Sequence, residues 1–167
     1  TALAAFTSLA ILSLGFAAPA HAAWPEKPIR IVVTFGAGGA SDIVARAISE
    51  PLAKALGQPV IVDNKPGASG MLGTKLVARA PADGYTLLFP NNGLVISPHI
   101  TKDAGYAPLT DFAPVSLVSL QPMVLVTHPA VPAKTVREFI DYAKANPGKM
   151  NYATAGPASF GHLASVL

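Results

Sequence analysis

The chemistry-bearing stretch of the chain is Phe35-Gly36-Ala37-Gly38-Gly39-Ala40-Ser41-Asp42. A β-branched run precedes it and a helical pattern follows. Glycines in such a place leave main-chain N–H groups free to face a cleft. The positive end of the following helix dipole adds to them, so the turn can hold an anion without any Arg. A dinucleotide fingerprint fits poorly, because Gly36-x-Gly38-x-x-Ser41 lacks the third glycine and Asp63 is only a loose match for the ribose-binding acid. A phosphate P-loop is excluded, since no Gly-Lys-Ser/Thr follows. A plain tight turn remains an alternative. Asp42 has two readings, a helix cap or a partner for a ligand amine, and the sequence leaves both open.

A second loop of similar form, Ala153-Thr154-Ala155-Gly156-Pro157-Ala158-Ser159, also lies between a short strand and a helix start. Two such loops could grip one small anion from opposite sides. Hydrolase patterns fail: Met71 follows Gly67-Ala68-Ser69-Gly70, so G-x-S-x-G is not completed. His21, His99, His128 and His162 are scattered and lack metal-ligand spacing. His162, near the last helix start, reads either as a cleft residue or as an ordinary helix-end residue. No carboxylate pair suggests a general acid and base, and the chain has no Cys. The residues point to binding, with no catalytic group, metal or cofactor expected.

The elements that must position these loops are short and alternating. The run 29–35 predicts a buried strand, ended by Gly36-Ala37-Gly38-Gly39. Apolar residues at helical spacing predict a helix over 41–55, closed by Gly57 and open to a kink or an early end at Pro51. A strand at 60–62, a helix over 70–80 and a strand at 85–89 complete a β-α-β-α-β pattern, which implies a parallel sheet with helices on both faces. Residues 91–112 read as a loop or crossover. Strands are expected at 113–120, 123–127 and 151–154, a helix behind the Thr135-x-x-Glu138 capping box, and a final helix from Phe160.

Composition agrees with an α/β domain. The 167 residues include 14 Gly and 16 Pro, too many breakers for a coiled coil or helical bundle, while 51% are hydrophobic, too many for a disordered chain. A net charge of +3 is too weak to argue for nucleic acid. No charge precedes Glu26, and an apolar stretch ends in Ala20-His21-Ala22. That is the form of a secretory signal cleaved near Ala22, with a retained membrane anchor as the alternative. The missing initiator Met and the apolar end at Leu167 suggest a sequence cut at both ends.

Several spaced motifs together carry a resemblance. They are Trp24-Pro25-Glu26-Lys27-Pro28, the Gly38-Gly39-x-x-Asp42 loop, Asn64-Lys65-Pro66-Gly67-Ala68-Ser69-Gly70, and Ala82-Asp83-Gly84-Tyr85-Thr86-Leu87-Leu88. Tyr152-Ala153-Thr154-Ala155-Gly156 with Gly161-His162-Leu163 completes the set. From about Trp24 to Leu167 the chain resembles the Bug family, TctC-like periplasmic solute receptors of tripartite tricarboxylate transporters. The resemblance implies a two-domain α/β flytrap, like other periplasmic binding proteins, here truncated at its C-terminus. Residues 1–22 would be the signal, 23–100 the first domain, and 101–167 the start of the second. It implies a monomeric receptor holding a small carboxylate, dicarboxylate or tricarboxylate, mainly through main-chain N–H groups and water. The receptor would pass this ligand to membrane permease subunits. The implied ligand-binding residues are Phe35, Ala37, Gly38, Gly39, Ala40, Ser41, Asp42, Asn91, Asn92, Thr154, Ala155, Gly156, Ser159 and His162. Pro157 departs from the pattern by removing a backbone donor. An exported hydrolase or transferase using the glycine loop as an oxyanion site, or a ligand sensor feeding a signalling system, are the alternatives.

Overall fold

The computed structural model describes residues 24–122, 124–154, 156 and 159–166. The expected leader and Ala155 lie outside the described residues. Strand β1 (Ile29–Val33) is almost wholly β-branched, and Ile29, Val32 and Val33 are fully buried. A strand apolar on both faces belongs in the middle of a parallel sheet. Accordingly β1 pairs in parallel with β2 (Val60–Asn64) on one side and β3 (Thr86–Phe89) on the other, giving the order β2-β1-β3. The register sets Val33 opposite both Asn64 and Phe89, so the three strands end level.

Helix α1 (Ala40–Leu56) links β1 to β2, and α2 (Met71–Ala78) links β2 to β3. Ala45 and Ile48 of α1 pack on Ile31 and Val33, with Val60, Val62, Leu87 and Phe89 closing the core. Gly57 adopts φ +69 and donates to the Ala53 carbonyl at 2.9 Å, the left-handed stop its position requires. Pro51 does not shorten α1. Ala47, whose carbonyl its missing N–H leaves free, lies on the exposed side with it, where water can serve.

The start of the described chain is fastened to the turn before β3. The Glu26 N–H donates to the Tyr85 hydroxyl at 2.8 Å, and Lys27 sits 4.3 Å over the Tyr85 ring and 3.3 Å from Asp83. Trp24 lies against Gly84 and Tyr85. Two widely separated motifs of the sequence therefore explain each other.

Three expectations need correction. Residues 91–112 are not all loop, because α3 (Gly93–Ile100) forms within them. The Asn91 side chain starts it by accepting from the Gly93 N–H at 2.8 Å. Pro98 inside α3 deprives the Leu94 carbonyl of its helical donor, and the Tyr106 hydroxyl supplies the replacement at 3.0 Å. Next, among the described residues of 113–127 there is no strand. These residues lie extended and exposed, Val115 at 83% and Val126 at 81%. A strand needs a hydrogen-bonded neighbour, and none of the described residues offers one here. The same holds for 151–154.

The Thr135 half of the capping box forms as its spacing predicts, while Glu138 reaches one residue past the cap to Lys134. Thr135 Oγ1 accepts from the Glu138 N–H at 3.2 Å, Glu138 accepts from the Lys134 N–H at 2.7 Å, and α4 (Val136–Ala145) follows. A short helix α5 (Phe160–Val166) begins at Phe160, as expected. Among the described residues no helix is long and apolar enough to cross a membrane.

Candidate functional site

The first glycine loop leaves the carboxyl end of the central strand, the place where open α/β sheets gather ligands. Thr34 is still buried; Gly36, Ala37, Gly38, Gly39 and Ala40 are exposed. Gly38 takes φ +80, a conformation that favours glycine, and the Gly39 N–H closes the turn on the Gly36 carbonyl at 3.3 Å. Side chains built at Gly36 or Gly38 would meet nothing within 4 Å. The space in front of the loop is open. The N–H groups of Ala40, Ser41 and Asp42 have no hydrogen-bond acceptor among the described residues; the first helical bond runs from Ile43 to Gly39.

Asp42 is buried at 3% exposure, and both its oxygens are occupied. Oδ2 accepts from the Gly38 N–H at 2.9 Å, Oδ1 accepts from Asn64 Nδ2 at 3.0 Å, and Arg46 Nε donates to both oxygens at 3.0 Å. The Arg46 guanidinium and the Gly38 N–H hold the Asp42 carboxyl down to about 2, against the cost of burial. The same contact pushes Arg46 up. The structure gives Asp42 an internal role, neither helix cap nor open partner for an amine: it fastens the loop, with its charge already matched.

Asn64 completes the clasp. Its Nδ2 also donates to the Phe35 carbonyl at 3.0 Å, and its Oδ1 accepts from Arg46 Nη2 at 3.1 Å. Asn64 and Arg46 were missed by sequence reasoning. The available signals were a polar residue ending β2, level with the first loop in a parallel sheet, and an Asp42–Arg46 pair at i,i+4 spacing on one helix. Asp63, the loose match to a ribose-binding acid, pairs with Arg30 at 3.7 Å and Lys65 at 3.1 Å.

A third segment, the 3₁₀ turn Ala68–Gly70, lies beside the first loop. The buried Gly70 leaves so little room that a Cβ there would stand 3.2 Å from Thr34 Oγ1 and 3.4 Å from the Phe35 ring. Ser69 faces both remaining candidates: its carbonyl is close to Gly93, next to Asn91, and its hydroxyl to Gly156 of the second loop. Asn91 and Asn92 thus mark the start of α3, where the Asn92 carbonyl accepts from Val95 and Ile96 at 3.2 Å.

In the second loop Thr154 is exposed, and its Oγ1 accepts from the Gly156 N–H at 3.4 Å. Ser159 is buried and serves the helix: its N–H donates to the Gly156 carbonyl at 3.0 Å and its Oγ accepts from the His162 N–H at 3.2 Å. The His162 ring stacks on Tyr152 at 6.1 Å, with Nδ1 3.5 Å from the Tyr152 hydroxyl. Among the described residues no three His, Asp or Glu side chains gather in a way that could hold a metal. A surface depression of about 400 Å³ lies elsewhere, between Thr127, His128 and Lys134.

The chain is a parallel α/β sheet with a glycine loop at the carboxyl end of its central strand, where such sheets gather ligands. The chain belongs to a receptor family: the model described as tripartite tricarboxylate transporter family receptor matches residues 44–166. The protein BugT of Bordetella pertussis is 38% identical over 170 residues, covering all of this chain and 52% of its own length. The periplasmic binding protein BugD is 34% identical with a TM-score of 0.68, over 85% of this chain and 48% of its own. Rpa4515 of R. palustris, solved with adipate, is 35% identical with a TM-score of 0.75, again over 85% and 48%. The chain therefore has the α/β fold of periplasmic binding proteins and spans about half the length of these relatives.

Proposed function

We propose that this chain is part of a periplasmic solute receptor that holds a small dicarboxylate in a cleft between two domains. One observation carries the reading: an open glycine loop at a helix start whose local carboxylate is already neutralised. Unpaired, Asp42 would repel an anion; matched by Arg46, it leaves the N–H groups of Ala40 and Ser41 as the dominant local charge. The adipate found in Rpa4515 supplies the ligand class.

In this reading Phe35, Ala37, Gly38, Gly39, Ala40 and Ser41 form one jaw, with Asp42 shaping it. Thr154, Ala155, Gly156, Ser159 and His162 form the other, and Asn91 and Asn92 stand at the cleft mouth. Residues 23–100 make the first domain and 101–167 belong to the second. The protein is exported by a leader cleaved near Ala22, is monomeric, and works by binding without chemistry. A carboxylate touching both jaws favours the closed form through its higher affinity for that form. The closed receptor then docks on the permease subunits of its transporter.

The test uses the protein expressed at the full length of its reading frame. Denaturing it and identifying released small molecules by mass spectrometry should yield a dicarboxylate. Replacing Gly39 with Val adds bulk at the helix start in an extended backbone that tolerates it, its Cβ 3.3 Å from the Gly36 carbonyl. Titration calorimetry should show binding lost while the melting temperature is kept. Unchanged affinity in that variant would sink the proposal.

A further inference from the structure

We propose that Ser69 is the seat on which the second glycine loop rests, and that its size sets how closely the two jaws approach; this rests on the binding reading above. The turn around Ser69 is unusual. Gly67, Ala68, Ser69 and Gly70 have φ of +134, +47, +56 and +95, so two residues with side chains sit in the left-handed region in succession. Such backbone is kept only where surrounding contacts impose it, and it is common at clamps and switches.

Those contacts are visible. At its far end the turn is tied to the root of the first jaw, where Gly70 lies against Thr34 and Phe35. At its tip the Ser69 carbonyl approaches Gly93 so closely that a Cβ there would be 3.3 Å away. The Ser69 hydroxyl in turn fills the place a side chain at Gly156 would need, 2.9 Å from the Cβ position. Gly156 itself has φ +119, which a side chain would strain. Position 156 is thus open to glycine on two counts, and one of them is Ser69. A rigid turn on one lobe meeting a bare backbone on the other is a spacer between them.

Two arms test this in the full-length protein, with adipate as the probe. In the first, Ser69→Cys and Gly156→Cys are combined. These 167 residues hold no cysteine, any thiol beyond them being counted in the parent, and a Cβ at 156 would lie 4.0 Å from the Ser69 Cβ, within the range a disulfide spans. Mild oxidation should give an internal cross-link, seen as the loss of both free thiols in monomeric protein. Persistent thiols in the folded double variant overturn the contact. In the second arm Ser69→Asn keeps the left-handed backbone, which Asn tolerates, but adds bulk toward Gly156. Adipate affinity should fall at least about tenfold, with the ligand-free melting temperature unchanged, while Ser69→Ala stays within about threefold of the parent. Full affinity in Ser69→Asn overturns the proposal. So does an equal loss in Ser69→Ala, since the hydroxyl would then be a ligand contact. A parent that takes no adipate removes the proposed ligand class, and the cross-link still decides the spacer.

Discussion

In the proposed anion site, Asp42 serves without facing the anion. Gly38, Asn64 and Arg46 use both its oxygens, so replacing it with Asn keeps the shape but loses the charge that orients the donors. Asp42→Asn should weaken dicarboxylate binding by about tenfold in calorimetry. Its pH signature has a definite sign. The folded pKa of about 2 lies below the ordinary aspartate value of 3.8, so the stabilisation is complete above about pH 4 and is lost as pH falls toward 2. The gap in melting temperature between the parent and Asp42→Asn should be constant at neutral pH and close across that acid window. A gap that persists at pH 2 would assign the effect to packing. The glycines and Asp42 were legible in the sequence because the loop sits between a strand and a helix. Arg46 looked like one more exposed helix residue, and Asn64 like the end of a strand. Arg46 meets Asp42 through their i,i+4 spacing on α1, and only the level ends of β1 and β2 bring Asn64 to the pair.

At the scale of elements, the β-α-β-α-β half was readable because its signals are local and agree with one another. Residues 29–35 are continuous β-branched sequence, α1 has helical spacing, and Gly57 stops it. Helix α3 was not readable: Gly93, Ser97 and Pro98 are poor helix formers, and what sustains it is a side-chain start from Asn91 and a borrowed donor from Tyr106. Tyr106→Phe should therefore cost about 1 kcal/mol in denaturant unfolding, because the Leu94 carbonyl loses its partner. Thr135→Ala, removing the cap of α4, should cost a similar amount, about 1 kcal/mol, and lower helicity measured by circular dichroism. The runs 113–120 and 123–127 have the composition of strands, but composition does not provide a neighbour to pair with.

The whole chain divides into a sheet with a filled core and a following stretch whose apolar side chains stand in water. Leu109, Val115, Leu120 and Val126 are all more than four-fifths exposed. A chain of these 167 residues made by itself should self-associate as its concentration rises, measured by sedimentation velocity, and Val124→Lys with Val126→Lys should reduce it. The fastening of Trp24, Glu26 and Lys27 to Asp83, Gly84 and Tyr85 has a practical consequence at this scale. It holds the chain's beginning at the amino ends of the parallel strands, while the first glycine loop leaves their carboxyl ends, about 13 Å away along β1. A fluorophore or surface tether placed just ahead of Trp24 would therefore stand at the opposite end of the sheet from the first glycine loop, leaving that loop unobstructed on an immobilised sensor.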